Sequence, residues 1–318
     1  PEAGCAYNES FAVHLTGEVN DAALVLALKA LPELHEALRG HFGGEAERFV
    51  IEPTLEVPIA HHELSELAPE DRAAQLQQLI EANARTPYDL AQGPLFRAAI
   101  VKLDEKRRTV LLSAHHAACD GWSLDVLLMD FARLYTGQVA TRPVPPPKHG
   151  FSDYVALRAT PEFTRAIAKS RAFWKKTFEA LPPPLELPHD GRRPPVRSYG
   201  ANHVFRLGSP ALLEAVKAFA REQGVSFFSV LLSSFAALLN RVSGATDLVI
   251  GVPVASHPEV GMEEAVGHLV NLLPVRCHVD AQQSFLALCR TTHGAMLDAR
   301  EHSAVSFGEI IADVGGRR

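Results

Sequence analysis

Alternating helical and strand periodicities in both halves of the chain predict an α/β protein built as two lobes. In the first half, two amphipathic helical stretches precede a pair of apolar strands; in the second, helices at 211–224 and 226–244 lead into strands at 247–255 and 271–279. Prolines crowd into 141–150 and 181–200, too densely for helix interiors or central strands. The expected division is an N-terminal lobe over 1–160 and a C-terminal lobe over 161–318, with a linker around 181–200.

Each element follows from its own pattern. Residues 21–42 have helical spacing, with Pro32 forcing a break or a restart. Residues 70–85 form a second amphipathic helix, and 96–103 and 107–116 flank Asp-Glu-Lys as an antiparallel strand pair. The stretch 123–135 places Leu124, Leu127, Leu128, Phe131 and Leu134 on one helical face, with Ser123 as the expected N-cap. Gly224 is a plausible residue to end the helix over 211–224, and 226–244 is apolar nearly all round, which predicts burial.

The 318 residues are 47% hydrophobic and 21% charged, which is the composition of an ordinary globular protein with room for two cores. A formal net charge of -6 argues against nucleic-acid binding. No apolar run reaches membrane-spanning length, and the start, PEAGC, has neither a leader pattern nor an initiator methionine, as expected of a piece of a longer intracellular protein. Cys5, Cys119, Cys277 and Cys289 lack C-x-x-C spacing, so they read as reduced cytosolic thiols rather than a disulfide framework.

The chemistry concentrates in SAHHAACDGWS, 113–123, at a strand-to-loop-to-helix junction. Neighbouring side chains on a strand face opposite ways, so one of His115 and His116 is expected to be buried and the other exposed at the strand end. Taken alone, the residues leave several readings open: a structural histidine pair, a metal site using Asp120, a Cys119 nucleophile, or a neutral imidazole acting as a base. Gly121 permits close approach of a substrate, and Trp122 supplies an apolar wall. No glycine-rich phosphate loop and no G-x-S-x-G elbow is present.

The pattern HHxxxDG at 115–121 resembles the signature of condensation domains of nonribosomal peptide synthetases, within the chloramphenicol-acetyltransferase-like acyltransferase superfamily. Further landmarks occur in order. LHEALRGHF (34–42) is similar to RHExLRTxF, with Leu34 and Gly40 as departures, and FSDYVAL (151–157) to YxDYAxW, with Leu157 for tryptophan. CAYNESFAVHLTGEVN from Cys5, TPYDLAQGPLFRAAIVKL (86–103), LELPHDGRRPP (185–195), LVIGVPVASH (248–257) and VGHLVNLLPVR (266–276) also resemble family segments. EHSAVSFGEII (301–311) resembles H-x-x-x-P-F-E, with Ser306 for proline and Gly308 before Glu309. The start of the family's first motif and its final motif lie outside the chain.

The resemblance implies two chloramphenicol-acetyltransferase-like lobes in a V-shaped pseudo-dimer, with the active site in the tunnel between them. It implies that His116 is the general base or positions the acceptor amine. His115 and Asp120 would be structural, Asp120 pairing with Arg276 or, second, Arg39. Gly121 would border the tunnel, Trp122 and Ser123 would form its wall, and Asn271 would approach from the second lobe. The implied reaction joins a donor acyl or peptidyl thioester to an acceptor aminoacyl thioester. Both ride on phosphopantetheine arms of carrier proteins, beside an adenylation domain, with no metal and no covalent cofactor, in a cytoplasmic, monomeric domain. An epimerization domain, a stand-alone acyltransferase and a silent partner-recruiting domain are the alternatives; VNLLPVR and Trp122 weigh against the first.

Overall fold

The computed structural model describes residues 2–44, 48–191, 195–196, 204–257 and 260–315. The chain divides into two compact units, Pro1–Leu157 with Ala255–Val270, and Arg158–Val254 with Asn271–Arg318. The segment 255–270 thus belongs with the first unit, although the sequence pattern assigned all of 161–318 to the second lobe. The proline-rich stretch 181–200 falls inside the second unit rather than at a boundary. Apolar packing explains this: Trp174 and Phe178, which precede those prolines, are already buried in the second unit's core. Residues 192–194 and 197–200 of that stretch lie outside the described residues.

The first unit is a four-stranded sheet in the order β1 (Asn8–Thr16), β6 (Arg107–His115), β5 (Phe96–Lys102), β4 (Ile59–Glu63). β6 pairs antiparallel with both neighbours, and β4 runs parallel to β5. A separate two-stranded ribbon joins β2 (Gly40–Gly43) to β3 (Arg48–Ile51). On one face lie α1 (Asp21–Leu34) and α3 (Gly121–Ala140), whose Leu24, Leu28, Leu31, Val126, Leu127 and Phe131 meet Ile100, Val110 and Leu112. On the other, Leu76, Leu79 and Ile80 of α2 (Pro69–Arg85) cover Ala99, Val101 and Leu111. Burial on both faces is why β5 and β6 read as continuous apolar runs rather than alternating ones.

α1 runs through Pro32 without a break. Proline removes one amide donor and crowds the carbonyl of the preceding turn, so α1 loses one hydrogen bond at Pro32 and ends shortly after it, at Leu34, instead of breaking there. Arg39, in the 3-10 turn Glu36–Arg39, donates to the carbonyls of Pro32 and Glu33, and its Nε donates to Glu52 O at 2.8 Å. Arg39 is therefore a cap for α1 and not a partner for Asp120. Beside it, buried His35 and Asp130 meet at 3.0 Å and tie α1 to α3.

The second unit contains α5 (Pro161–Thr177), α6 (Pro210–Gln223), α7 (Phe227–Ser243), α8 (Phe285–Glu301) and α9 (Phe307–Asp313), following α4 (Phe151–Arg158), which lies at the division. Its two strands, β7 (Asp247–Ala255) and β8 (Val270–His278), pair with each other. α6 and α7 end at Gly224 and Gly244, both left-handed at φ 66° and 75°, the conformation that glycine adopts without strain. α7 is less buried than its composition predicts. Val230, Ser233, Ala236 and Leu239 pack inward, while Phe228, Leu231, Phe235, Leu238 and Val242 form an exposed stripe. Ser229, Ser233 and Ala236 let the inner face pack closely, and Val230, Leu232 and Leu239 fill it. Among the described residues, no single helix is long and apolar enough to cross a membrane.

Arg276 and Asp247 hold β8 to β7 in a bidentate pair, Nε to Oδ1 at 2.9 Å and Nη2 to Oδ2 at 2.6 Å, while Nη1 donates to Thr177 O at 2.6 Å. The guanidinium holds the Asp247 carboxyl below its ordinary range, chiefly by hydrogen bonding. A carboxylate with a depressed folded-state pKa adds stability above its unfolded value, and loses it as pH falls through the folded one. Asp247→Asn is therefore expected to lower unfolding stability at pH 7 by about 1–2 kcal/mol. In denaturant melts, the gap to the parent should narrow below about pH 4; a gap independent of pH would contradict the pairing.

Candidate active site

His115 ends β6, and His116 begins the turn that leads into α3. The sheet's alternation separates them. His115 is buried at 9% exposure between the rings of Tyr7 and Tyr88, and its Nδ1 accepts from Ala117 N at 3.2 Å. Burial, and then the positive charge of a protonated His116, push its pKa down, so His115 serves as an uncharged support.

His116 is more open, with 27% of its side chain exposed. Its Nδ1 lies 2.9 Å from Cys119 O. A carbonyl can only accept, so Nδ1 carries the proton, and in the neutral ring Nε2 keeps its lone pair. The tautomer is set by the backbone of the very turn that presents the ring. Buried Cys119 is no nucleophile: burial, and then the charges of Asp120 and Glu9, push its thiol well above the ordinary range.

Asp120 is 1% exposed, and its carboxylate is filled on both sides. Oδ1 accepts from Ser123 N at 3.0 Å and lies 2.9 Å from Ser123 Oγ; Oδ2 accepts from Leu269 N at 2.9 Å and Val270 N at 2.8 Å. Asp120, not Ser123, is thus the N-cap of α3, and Ser123 occupies the third position, whose amide a cap receives. The expected arginine partner is replaced by main-chain amides, which supply donors to a buried carboxylate without burying a second charge.

The segment 255–270 clamps the histidine turn at further points. Ser123 Oγ lies within bonding distance of both Gly267 O and Gly267 N, at 2.9 and 3.1 Å. His268 Nδ1 donates to His116 O at 3.0 Å, with the two imidazoles edge to face at 4.8 Å. Trp122 Nε1 donates to Glu263 O at 2.9 Å, and its ring stacks on buried His257. Gly267 must be glycine because a Cβ there would lie 2.3 Å from the Phe151 ring. By contrast, a Cβ on Gly121 would meet nothing within 4 Å, so the backbone there borders open space.

The structure therefore gathers His115, His116, Asp120, Gly121 and Trp122 around one turn. Ser123, expected in a wall, is fully buried beneath it and works as a brace. Asn271 and Arg276 belong to the second unit, where their polar groups are already engaged: Asn271 donates to Ser303 O and Val305 O and accepts from Phe307 N. Sequence reasoning missed Glu9, whose Oε1 lies 3.8 Å from His116 Nε2, and also missed His257 and His268. All three lie within segments that resemble the family, but nothing in their local pattern marks them, because only strand pairing and tertiary packing bring them to the turn. Among the described residues, no cluster of three or more His, Cys, Asp or Glu has the geometry of a metal site.

Removing the Asp120 carboxylate strands buried donors at roughly 1–3 kcal/mol each, so Asp120→Ala should cost about 3–5 kcal/mol in chemical denaturation. Asp120→Asn should not rescue it, because an amide NH2 would confront the amides of Leu269 and Val270 or that of Ser123. A stable Asn variant would show that the clamp does not depend on the carboxylate.

Comparison with known proteins agrees with this geometry. The family model described as "Condensation domain" matches residues 2–318. Chondramide synthase cmdD of Chondromyces crocatus is 32% identical over 99% of this chain, which spans 8% of that protein, so the chain corresponds to a small part of its curated relatives. The first condensation domain of the calcium-dependent antibiotic synthetase, in complex with a substrate analogue, is 26% identical with a TM-score of 0.78, over 98% of this chain and 74% of that one. The X-domain solved in complex with OxyB from teicoplanin biosynthesis is 26% identical with a TM-score of 0.84, over 98% and 69%. The mixed α/β fold, the histidine turn and the match over nearly the whole chain make this protein a member of the condensation domain family of nonribosomal peptide synthetases.

Proposed function

We propose that this chain forms a peptide bond by aminolysis of a carrier-bound donor thioester by the amine of a carrier-bound acceptor aminoacyl thioester. The observation that carries the reading is the His116 tautomer: Nδ1–H is held by Cys119 O, which leaves the Nε2 lone pair available to a substrate. The acceptor nitrogen attacks the donor carbonyl carbon, and the C–S bond breaks. Nε2 takes the proton that the nitrogen sheds and returns it to the departing sulfur, so no oxidant, metal or covalent enzyme intermediate is required. A thioester is already activated, so bringing two tethered ends together supplies much of the acceleration, and one base assists. Open space at Gly121 supports passage of a pantetheine arm close to the backbone. The partners in this reading are donor and acceptor carrier domains and an adenylation domain of the same synthetase, in the cytoplasm.

A second reading has one specific support. The likeness to an X-domain solved in complex with OxyB supports a chain whose role is to bind a partner protein.

His116→Ala should reduce dipeptidyl-thioester formation by about 100- to 10,000-fold while leaving the melting transition in place. Intact-mass analysis of the loaded carrier proteins reads the product directly. Full turnover in the variant would overturn the base assignment; a parent that makes no product from any loaded pair would favour recruitment. Gly121→Leu is expected to fold normally and lose turnover, since its side chain would enter open space; unchanged turnover would remove Gly121 from the substrate path.

A further inference from the structure

Glu9 lies on β1 opposite Ala114 of β6. Residues two apart on a strand share a face, so Glu9, Ala114 and His116 fall on one side of the sheet, and the diagonal Glu9–His116 pair is within reach of long side chains. The resulting contact is Glu9 Oε1 to His116 Nε2 at 3.8 Å, with 32% of the Glu9 side chain exposed. That distance is longer than a hydrogen bond, and it is made to the nitrogen that the tautomer leaves open.

The surrounding charges single Glu9 out. Asp120, the other carboxylate of the turn, has both oxygens filled. His115 is buried, and burial and then its neighbour His116 keep its pKa low. His268 spends Nδ1 on the His116 carbonyl, and burial followed by His116 pushes its pKa down. The Cys119 thiol is pushed far up. Glu9 is thus the carboxylate at this centre, among the described residues, whose oxygens are not consumed by structural hydrogen bonds.

We propose that Glu9 is a substrate-binding carboxylate that receives the ammonium of the acceptor and makes this site selective for amine over hydroxyl acceptors. The inference rests on the reading of the His116 turn as the acceptor site. An α-amino group has a reference pKa of about 7.7–8.0, so an aminoacyl acceptor reaches the site largely as a cation at neutral pH, whereas the matching 2-hydroxyacyl compound arrives uncharged. The ammonium can donate to Glu9 beside Nε2. It releases one proton to water to become the attacking amine. The nitrogen becomes positive again as the N–C bond forms, and it then gives its second proton to Nε2. The carboxylate therefore faces positive charge both on arrival and during attack, while a hydroxyl acceptor offers none on arrival.

The test uses non-reactive amide analogues of two acceptors, alanyl-aminopantetheine and lactyl-aminopantetheine, with binding measured by calorimetry or ligand-detected NMR. The parent protein should bind the alanyl analogue about five- to tenfold more tightly than the lactyl one at pH 7, the scale of one partly exposed charged contact. Glu9→Gln should erase that preference by weakening only the alanyl analogue, and Glu9→Asp should restore part of it; thermal melts confirm that each variant is folded. Equal affinity of the parent for both analogues, or a preference that survives Glu9→Gln, would overturn the proposal. Binding is independent of turnover, so a preference lost in Glu9→Gln but accompanied by no peptide product in the parent supports the ammonium site and counts against the condensation reading alone. Product formation with an unchanged preference does the reverse.

Discussion

A single buried carboxylate organises the histidine turn. Asp120 has almost no access to water, and its two oxygens accept main-chain amides from two directions, its own helix and the 255–270 segment. Burying that charge is favourable only because every lone-pair direction that matters is occupied. In return, the carboxylate fixes where α3 starts and where residues 267–270 run, and those two positions frame the ring of His116. The same segment then holds His116 O through His268 and Ser123 Oγ through Gly267.

The sheet supplies the complementary constraint. β6 is covered on both faces, so its register cannot slip without moving apolar side chains out of two cores at once. The rigid strand ends at His115, and the next residue is free to turn outward, with Nδ1 tied to Cys119 O. The antiparallel neighbour β1 brings Glu9 to the same face. An imidazole held in one tautomer, with a carboxylate beside its open nitrogen, is the geometry on which the proposed reaction rests.

Much of this is legible in the sequence. The helices at 70–85, 211–224 and 226–244 and the strands at 96–103, 107–116, 247–255 and 271–279 followed from periodicity, because amphipathic spacing reflects burial that the final fold preserves; short or mixed-exposure strands such as β1 to β4 did not. Strand alternation required that one of His115 and His116 be buried and the other exposed, and the family resemblance indicated which. Other readings went astray for identifiable reasons. Pro32 lies in the last turn of α1, where the helix gives up one hydrogen bond and ends soon after instead of breaking, and Asp120 preceded Ser123 as an equally good cap. Arg276 was assigned to Asp120 by family pattern, yet in the structure it serves Asp247. The apolar surface of α7 told how much could be buried but not which face would be.

The amino-acid sequence by itself determined the α/β class, the order of the elements with clear periodicity and the strand-to-helix turn that carries the histidines, since these depend on local spacing and residue type. It also carried the family, through motifs spread from Cys5 to the helix at 307–313. Only tertiary structure decided the partners of Asp120, the placement of 255–270 with the first unit, and the approach of Glu9 and His268 to His116. Apart from the local Asp120–Ser123 bonds, those contacts join residues more than a hundred positions apart. Strand register and main-chain hydrogen bonds create them, and neither leaves a mark on local sequence pattern.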